Sequence, residues 1–133
     1  MDHDDHVRLL REGVSGAGSV WADLGSGEGA FTLALADLLG PGGAIHSIDR
    51  DRRAIEVQHR ALRERFPAVQ VTAHVADFTR PLELPLLDGI VMANALHFVR
   101  DKLPVLRLLR GYLRSAGRLV LVEYDTDAGN HWV

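Results

Sequence analysis

Short apolar or β-branched runs alternate along this chain with longer stretches of helical period, and this alternation constrains the fold more than any other feature. Parallel strands need long crossover connections, usually helices, so the order reads as βαβ units around a parallel sheet. The strands are read at Val20–Leu24, Ala44–Ile48, Val69–Val75, Leu87–Met92 and Arg118–Tyr124. Helices are read from about Asp5 to Glu12, Glu28 to Leu39, Arg52 to Phe66 and Leu103 to Leu113, with Pro104 tolerated in a first turn. Gly13 to Ser19, Gly40-Pro41-Gly42-Gly43 and Pro67 supply the stops. Ile90-Val91-Met92 and Leu119-Val120-Leu121-Val122 are continuously apolar, as in strands covered on both faces. The expected architecture is a doubly wound, mainly parallel α/β sheet of five strands in the order 3-2-1-4-5.

The 133 residues are 47% hydrophobic, enough for one domain with a real core. That domain divides into a helix and turn over 1–18, a core over 19–124 and a tail over 125–133. A net charge of −3 gives no broad positive field, which disfavours nucleic acid as a partner. No cysteine is present, so disulfides, thiolate metal sites and cysteine nucleophiles are excluded. With no signal peptide and no apolar run near the ~18 residues that span a bilayer, a soluble cytoplasmic protein is expected.

In such sheets ligands bind beyond the carboxyl ends of the strands, at the switch point. Asp23, Asp49, Asp77 and Asn94 all fall at strand ends of that kind. Between the first strand and its helix lies Asp23-Leu24-Gly25-Ser26-Gly27-Glu28-Gly29. Glycine lets backbone approach a ligand, and a helix N-terminus adds unpaired N–H donors. The turn also fits the dinucleotide pattern G-x-G-x-x-G/A. Asp23 weighs against a dinucleotide: a carboxylate repels a pyrophosphate and attracts an ammonium group. S-adenosylmethionine carries an amino-acid group and a sulfonium and has no phosphate, so Asp23 favours it over NAD. Alternatively, Asp23 only orders the turn through backbone hydrogen bonds.

Asp49, followed by Arg50, can accept from a ribose diol or cap the next helix, with Asp51 as the other possible cap. Asp77 can accept from an adenine amine with Phe78 beside the base, or make a local turn. His97 is the best general-base candidate by its near-neutral pKa; packing over the cofactor or capping the short helix after the fourth strand is the alternative. Asn94 is expected to face the cofactor with its backbone, with or without a side-chain role. Glu123 and Tyr124 are expected to end the last strand in solvent, lining of an acceptor pocket being the alternative. His3 and His6 flank two aspartates, a cluster that could bind a metal. Without a further ligand set no metal is expected, and they belong to a polar, flexible terminus. The arginines from Arg50 to Arg65 belong to a solvated helix face.

Taken together, Val20 to Thr32, Ile48-Asp49, Ala76-Asp77 and Asp88 to Val91 resemble class I S-adenosylmethionine-dependent methyltransferases. Asn94 to Val99 and Leu113 to Glu123 resemble the small-molecule, quinone-biosynthesis branch of that family. The resemblance implies that Asp23 and the Gly25–Gly29 turn hold the methionine end of the cofactor, Asp49 the ribose and Asp77 the adenine amine. It implies methyl transfer to a small-molecule acceptor. A binding module that serves a partner, or an NAD-dependent oxidoreductase, are the competing functions. Family members usually add an antiparallel hairpin after the fifth strand, and often have Cys where Ser26 stands here. Only nine residues follow Tyr124. The expectation is therefore a fragment lacking the hairpin, or a homodimer paired through strand 5.

Overall fold

The computed structural model describes residues 2–14, 16, 18–96 and 99–123. The elements run α1 (His3–Leu10), β1 (Val20–Leu24), α2 (Ala30–Leu39), β2 (Ala44–Asp49), α3 (Arg52–Arg65), β3 (Gln70–Val75), β4 (Leu87–Ala93), α4 (Lys102–Tyr112) and β5 (Leu113–Val122). The sheet order is β3-β2-β1-β4-β5, and every pairing is parallel.

Strand alternation sorts the core into two layers. Trp21, Ile45 and Val91 meet Phe31, Leu35 and Leu39 of α2, Leu62 of α3 and Val7 and Leu10 of α1 on one face. Ala22, Leu24, Ile48, Ile90 and Met92 meet Val105 and Leu109 of α4 on the other. No helix joins β3 to β4; Leu82 and Leu84 of that connection pack on the second layer, and the Leu82 N–H donates to Tyr112 Oη at 2.7 Å.

Two elements depart from the sequence reading. α1 begins at His3 rather than Asp5, because Asp2 and Asp5 form a reciprocal capping box. His3 and His6 therefore sit on an ordered helix, not a flexible terminus: His3 Nε2 lies 2.9 Å from Asp37 Oδ2 and His6 meets the Phe31 ring edge-on. β5 begins at Leu113, not Arg118. Its ladder pairs Leu87 with Leu113 and then Gly89 with Arg118, so Ser115-Ala116-Gly117 is taken up inside the strand at a shift of register. Tyr124 and the tail at 125–133 lie outside the described residues.

Candidate functional site

β1, β2, β3 and β4 all present their carboxyl ends to one edge of the sheet, because every crossover returns the chain in the same direction. A cleft of about 330 Å³ opens there, lined by Gly25, Asp49, Arg50, Asp51, Ala76, Asp77, Phe78, Thr79, Asn94, Ala95 and Val99. It brings together Gly25, Asp49, Arg50, Asp77, Phe78 and Asn94 from the residues singled out in the sequence. A larger, more open groove of about 950 Å³ runs between α3 and β3, but it contains none of the strand-end acids.

The turn between β1 and α2 reaches the cleft through Gly25, while Ser26, Gly27 and Gly29 lie behind its lining. Gly25, Gly27 and Gly29 have φ of 73°, 57° and 100°, in the left-handed region that a side chain disfavours. The Gly25 and Ser26 N–H groups both donate to Ile48 O, at 2.8 and 3.0 Å, tying the turn to β2. Asp49 extends that tie: its Oδ1 accepts from Gly27 N–H at 3.1 Å and its Oδ2 from Asp51 N–H at 3.0 Å. Each carboxylate oxygen keeps a further lone pair for a ligand hydroxyl. Asp51, not Asp49, caps α3, accepting from Arg53 and Ala54 N–H.

Asp23 is buried, 1% exposed, and does not line the cleft. Its Oδ2 accepts from Thr32 Oγ1 at 2.7 Å, which joins the end of β1 to the first turn of α2. The turn is thus ordered by Ile48 and Asp49, while Asp23 binds a side chain behind it. Burial pushes the Asp23 carboxyl up to about 7, against the opposing pull of the Thr32 bond and with a push from the Asp49 charge. A carboxylate placed this way gains from any cation brought near it. The Leu24 side chain is fully buried in the second core layer, leaving only its main chain for a ligand.

Asp77 makes the local turn: its Oδ1 accepts from Thr79 N–H at 2.9 Å and Thr79 Oγ1 at 2.7 Å. Those bonds, with the Arg50 and Arg80 charges, hold its carboxyl below the usual range. Asn94 has φ of 56°, the one positive value outside glycine among the described residues, and its N–H donates to Val122 O at 2.7 Å. That strained residue at the end of β4 faces the cleft. His97, the expected base, lies outside the described residues. Glu123 directly follows β5.

Sequence reasoning missed Gln58. It lies in α3 among the buried residues Ala54, Ile55 and Leu62 and donates to Ser26 Oγ and Gly27 O, both at 2.7 Å. The signal was present: a polar residue at the centre of an apolar helical stripe is buried and needs partners.

A family model described as a methyltransferase domain matches residues 16–131. The chain is 36% identical over 107 residues to an uncharacterized 37.1 kDa protein in transposon TN4556 of Streptomyces fradiae, covering 80% of this chain and 30% of that protein. It is 25% identical over 101 residues to a demethylmenaquinone methyltransferase of Geobacillus sp. (strain WCH70), covering 76% and 43%. The chain thus spans less than half the length of these curated relatives. Coclaurine N-methyltransferase bound to N-methylheliamine and SAH has a similar structure, with a TM-score of 0.77 at 21% identity over 90% of this chain and 35% of that one. A SAM-dependent methyltransferase from Aquifex aeolicus gives 0.73 at 20% identity, over 93% and 66%. At these identities the likeness establishes a common fold. With the family match spanning most of its length and the sheet in the expected order, this chain belongs to the methyltransferase-domain family.

Proposed function

We propose that this chain is a single cofactor-binding domain of a methyltransferase that uses S-adenosylmethionine and acts on a small-molecule acceptor. The observation that carries the reading is Asp49, braced on the Gly27 N–H at the mouth of the switch-point cleft. The residues present fit the cofactor. Asp49, Asp51 and Asp77 line the cleft against one guanidinium, Arg50, and Asp23 lies buried at the end of the adjacent strand. This acceptor-rich, negative setting suits ribose hydroxyls, an exocyclic amine and a cation, and it disfavours the pyrophosphate of NAD.

When bound, the cofactor supplies a methyl group on a sulfonium, a good leaving group for in-line displacement. The chain's own work is binding and orientation. Asp49 would hold the ribose, Asp77 and Phe78 the adenine, and the Gly25–Gly29 turn with Asp23 the amino-acid end. Arg50 lines the nucleoside side of the cleft. His97 would take a proton from the acceptor where the acceptor must lose one. The Geobacillus relative, named as a demethylmenaquinone methyltransferase, supports a small organic acceptor over nucleic acid. No helix among the described residues is long and apolar enough to cross a membrane, and a cytoplasmic location stays part of this proposal.

Titration calorimetry with S-adenosylmethionine and NAD tests the cofactor. Micromolar binding of the first and none of the second is expected; the reverse would overturn the reading. A methyl-transfer screen with small phenols, quinols and amines tests the activity. His97→Ala should lower turnover with little change in cofactor affinity and remove the acidic limb of the pH–rate profile.

A further inference from the structure

Gln58 is fully buried on the inner face of α3, among Ala54, Ile55 and Leu62. An amide there is unfavourable unless its hydrogen bonds are made. The Nε2 group makes both of its donations, to Ser26 Oγ and Gly27 O. The Oε1 atom is buried and finds no partner among the described residues. Exchanging the two amide atoms would set an oxygen against the Gly27 carbonyl, so the donor assignment is fixed by that contact. An aliphatic side chain would fill the stripe without an orphaned oxygen. What the amide adds is its grip on the turn.

The grip is complementary to another. Gly27 is held at its N–H by Asp49 Oδ1 and at its carbonyl by Gln58 Nε2. Gly29 makes the approach possible, because a Cβ built there would stand 2.5 Å from Gln58 Cβ. Around the position a Gly27 Cβ would take, nothing lies within 4 Å, so that side of the turn is open. Resting on the function proposed above, we infer that Gln58 is a positioning residue for the amino-acid end of the cofactor. It fixes the carbonyl side of the turn while Asp49 fixes the amide side and holds the ribose.

The test separates the two ends of the ligand. S-adenosylhomocysteine carries the amino-acid tail, whereas 5′-methylthioadenosine keeps the adenosine and thioether and lacks the tail. Calorimetry on wild type and Gln58→Met, a substitution of similar length without polar atoms, should show S-adenosylhomocysteine weakened ~10-fold and methylthioadenosine changed less than ~2-fold. General damage to the fold would weaken both ligands alike, and that result overturns the inference, as does no change in either. If Gln58→Met fails to fold by circular dichroism, Ser26→Ala removes one of the two bonds without touching α3. A selective loss of ~3-fold for the tailed ligand is then expected, and an equal loss for both overturns the inference. Wild type that binds neither ligand overturns the function itself, a result distinct from wild type that binds both and a variant that does not discriminate.

Discussion

The turn after β1 is braced by side chains from the end of β2 and from α3, whereas the side chain of the acid that follows β3 bonds locally. Asp49 reaches back 22 residues to Gly27, and Gln58 reaches 32 to Ser26. The Asp77 carboxylate instead accepts from Thr79, two residues on. A locally closed turn can form before the sheet exists, so it reports little about the tertiary structure. A cross-braced turn exists only once β1, β2 and α3 are assembled. Pre-shaping lowers the ordering cost of binding. On the function proposed above, the braced half would hold the ligand's position and the local half would line the site.

The strongest way to break the braced half is Gly29→Ala. The added methyl meets Gln58 and the residue must keep φ near 100°. Strain and overpacking together should cost about 4 kcal/mol and abolish cofactor binding. Urea unfolding measures the first and calorimetry the second; a variant as stable as wild type would remove the interlock.

Next comes the pH profile. Between its ordinary value of 3.8 and about 7, the folded chain keeps a proton on Asp23 that the unfolded chain releases. The stability Asp23 contributes is therefore present below pH 3.8 and is lost as pH rises through about 7. His46 and His74 act in the opposite sense. Their rings stack with Nδ1 and Nε2 3.1 Å apart, and burial holds both below the ordinary 6.5. Their contribution is present above pH 6.5 and is lost as pH falls through their lower folded values. Asp23→Asn should thus stabilise the ligand-free protein at pH 8 by on the order of 3 kcal/mol and change it little near pH 4. An equal effect at both pH values would show that burial of the charge is not the cause.

Asp49→Ala should weaken S-adenosylmethionine at least ~10-fold while the fold persists, since hydrogen bonds to charged groups are worth roughly 1.5–3 kcal/mol. An unchanged dissociation constant would remove Asp49 from the site. The smallest effect belongs to Asp77→Ala, which loses a local turn. Stability should fall by less than about 1 kcal/mol, and cofactor affinity should fall less than in Asp49→Ala. A larger loss than at Asp49 would reverse the comparison between the two halves.

Much of this was legible in the chain. Alternating strand and helix periods gave the parallel, doubly wound sheet, and turn chemistry gave most element boundaries within two residues. The Gly turn and the acids at the ends of β1, β2 and β3 stood out by position alone. One boundary failed by more, because β5 starts at Leu113 rather than Arg118; a capping box of two aspartates moved the start of α1 by two residues. The choice among roles could not be read from residue type. Asp23, Asp49 and Asp77 are the same side chain at equivalent strand ends, yet one is buried on Thr32, one bridges two backbone amides and one closes its own turn.

What the sequence determined by itself is periodicity: the parallel sheet, its two-sided core and the edge where ligands gather. Those follow from side-chain spacing of 2 and 3.6 residues, which any segment carries alone. What only the tertiary structure decided is the bracing of the turn. Gln58 and Asp49 reach Gly27 because α3 packs on β2 and β3, and because β2 pairs with β1. A hydrogen bond between groups 22 or 31 residues apart depends on that packing and leaves no local period to read.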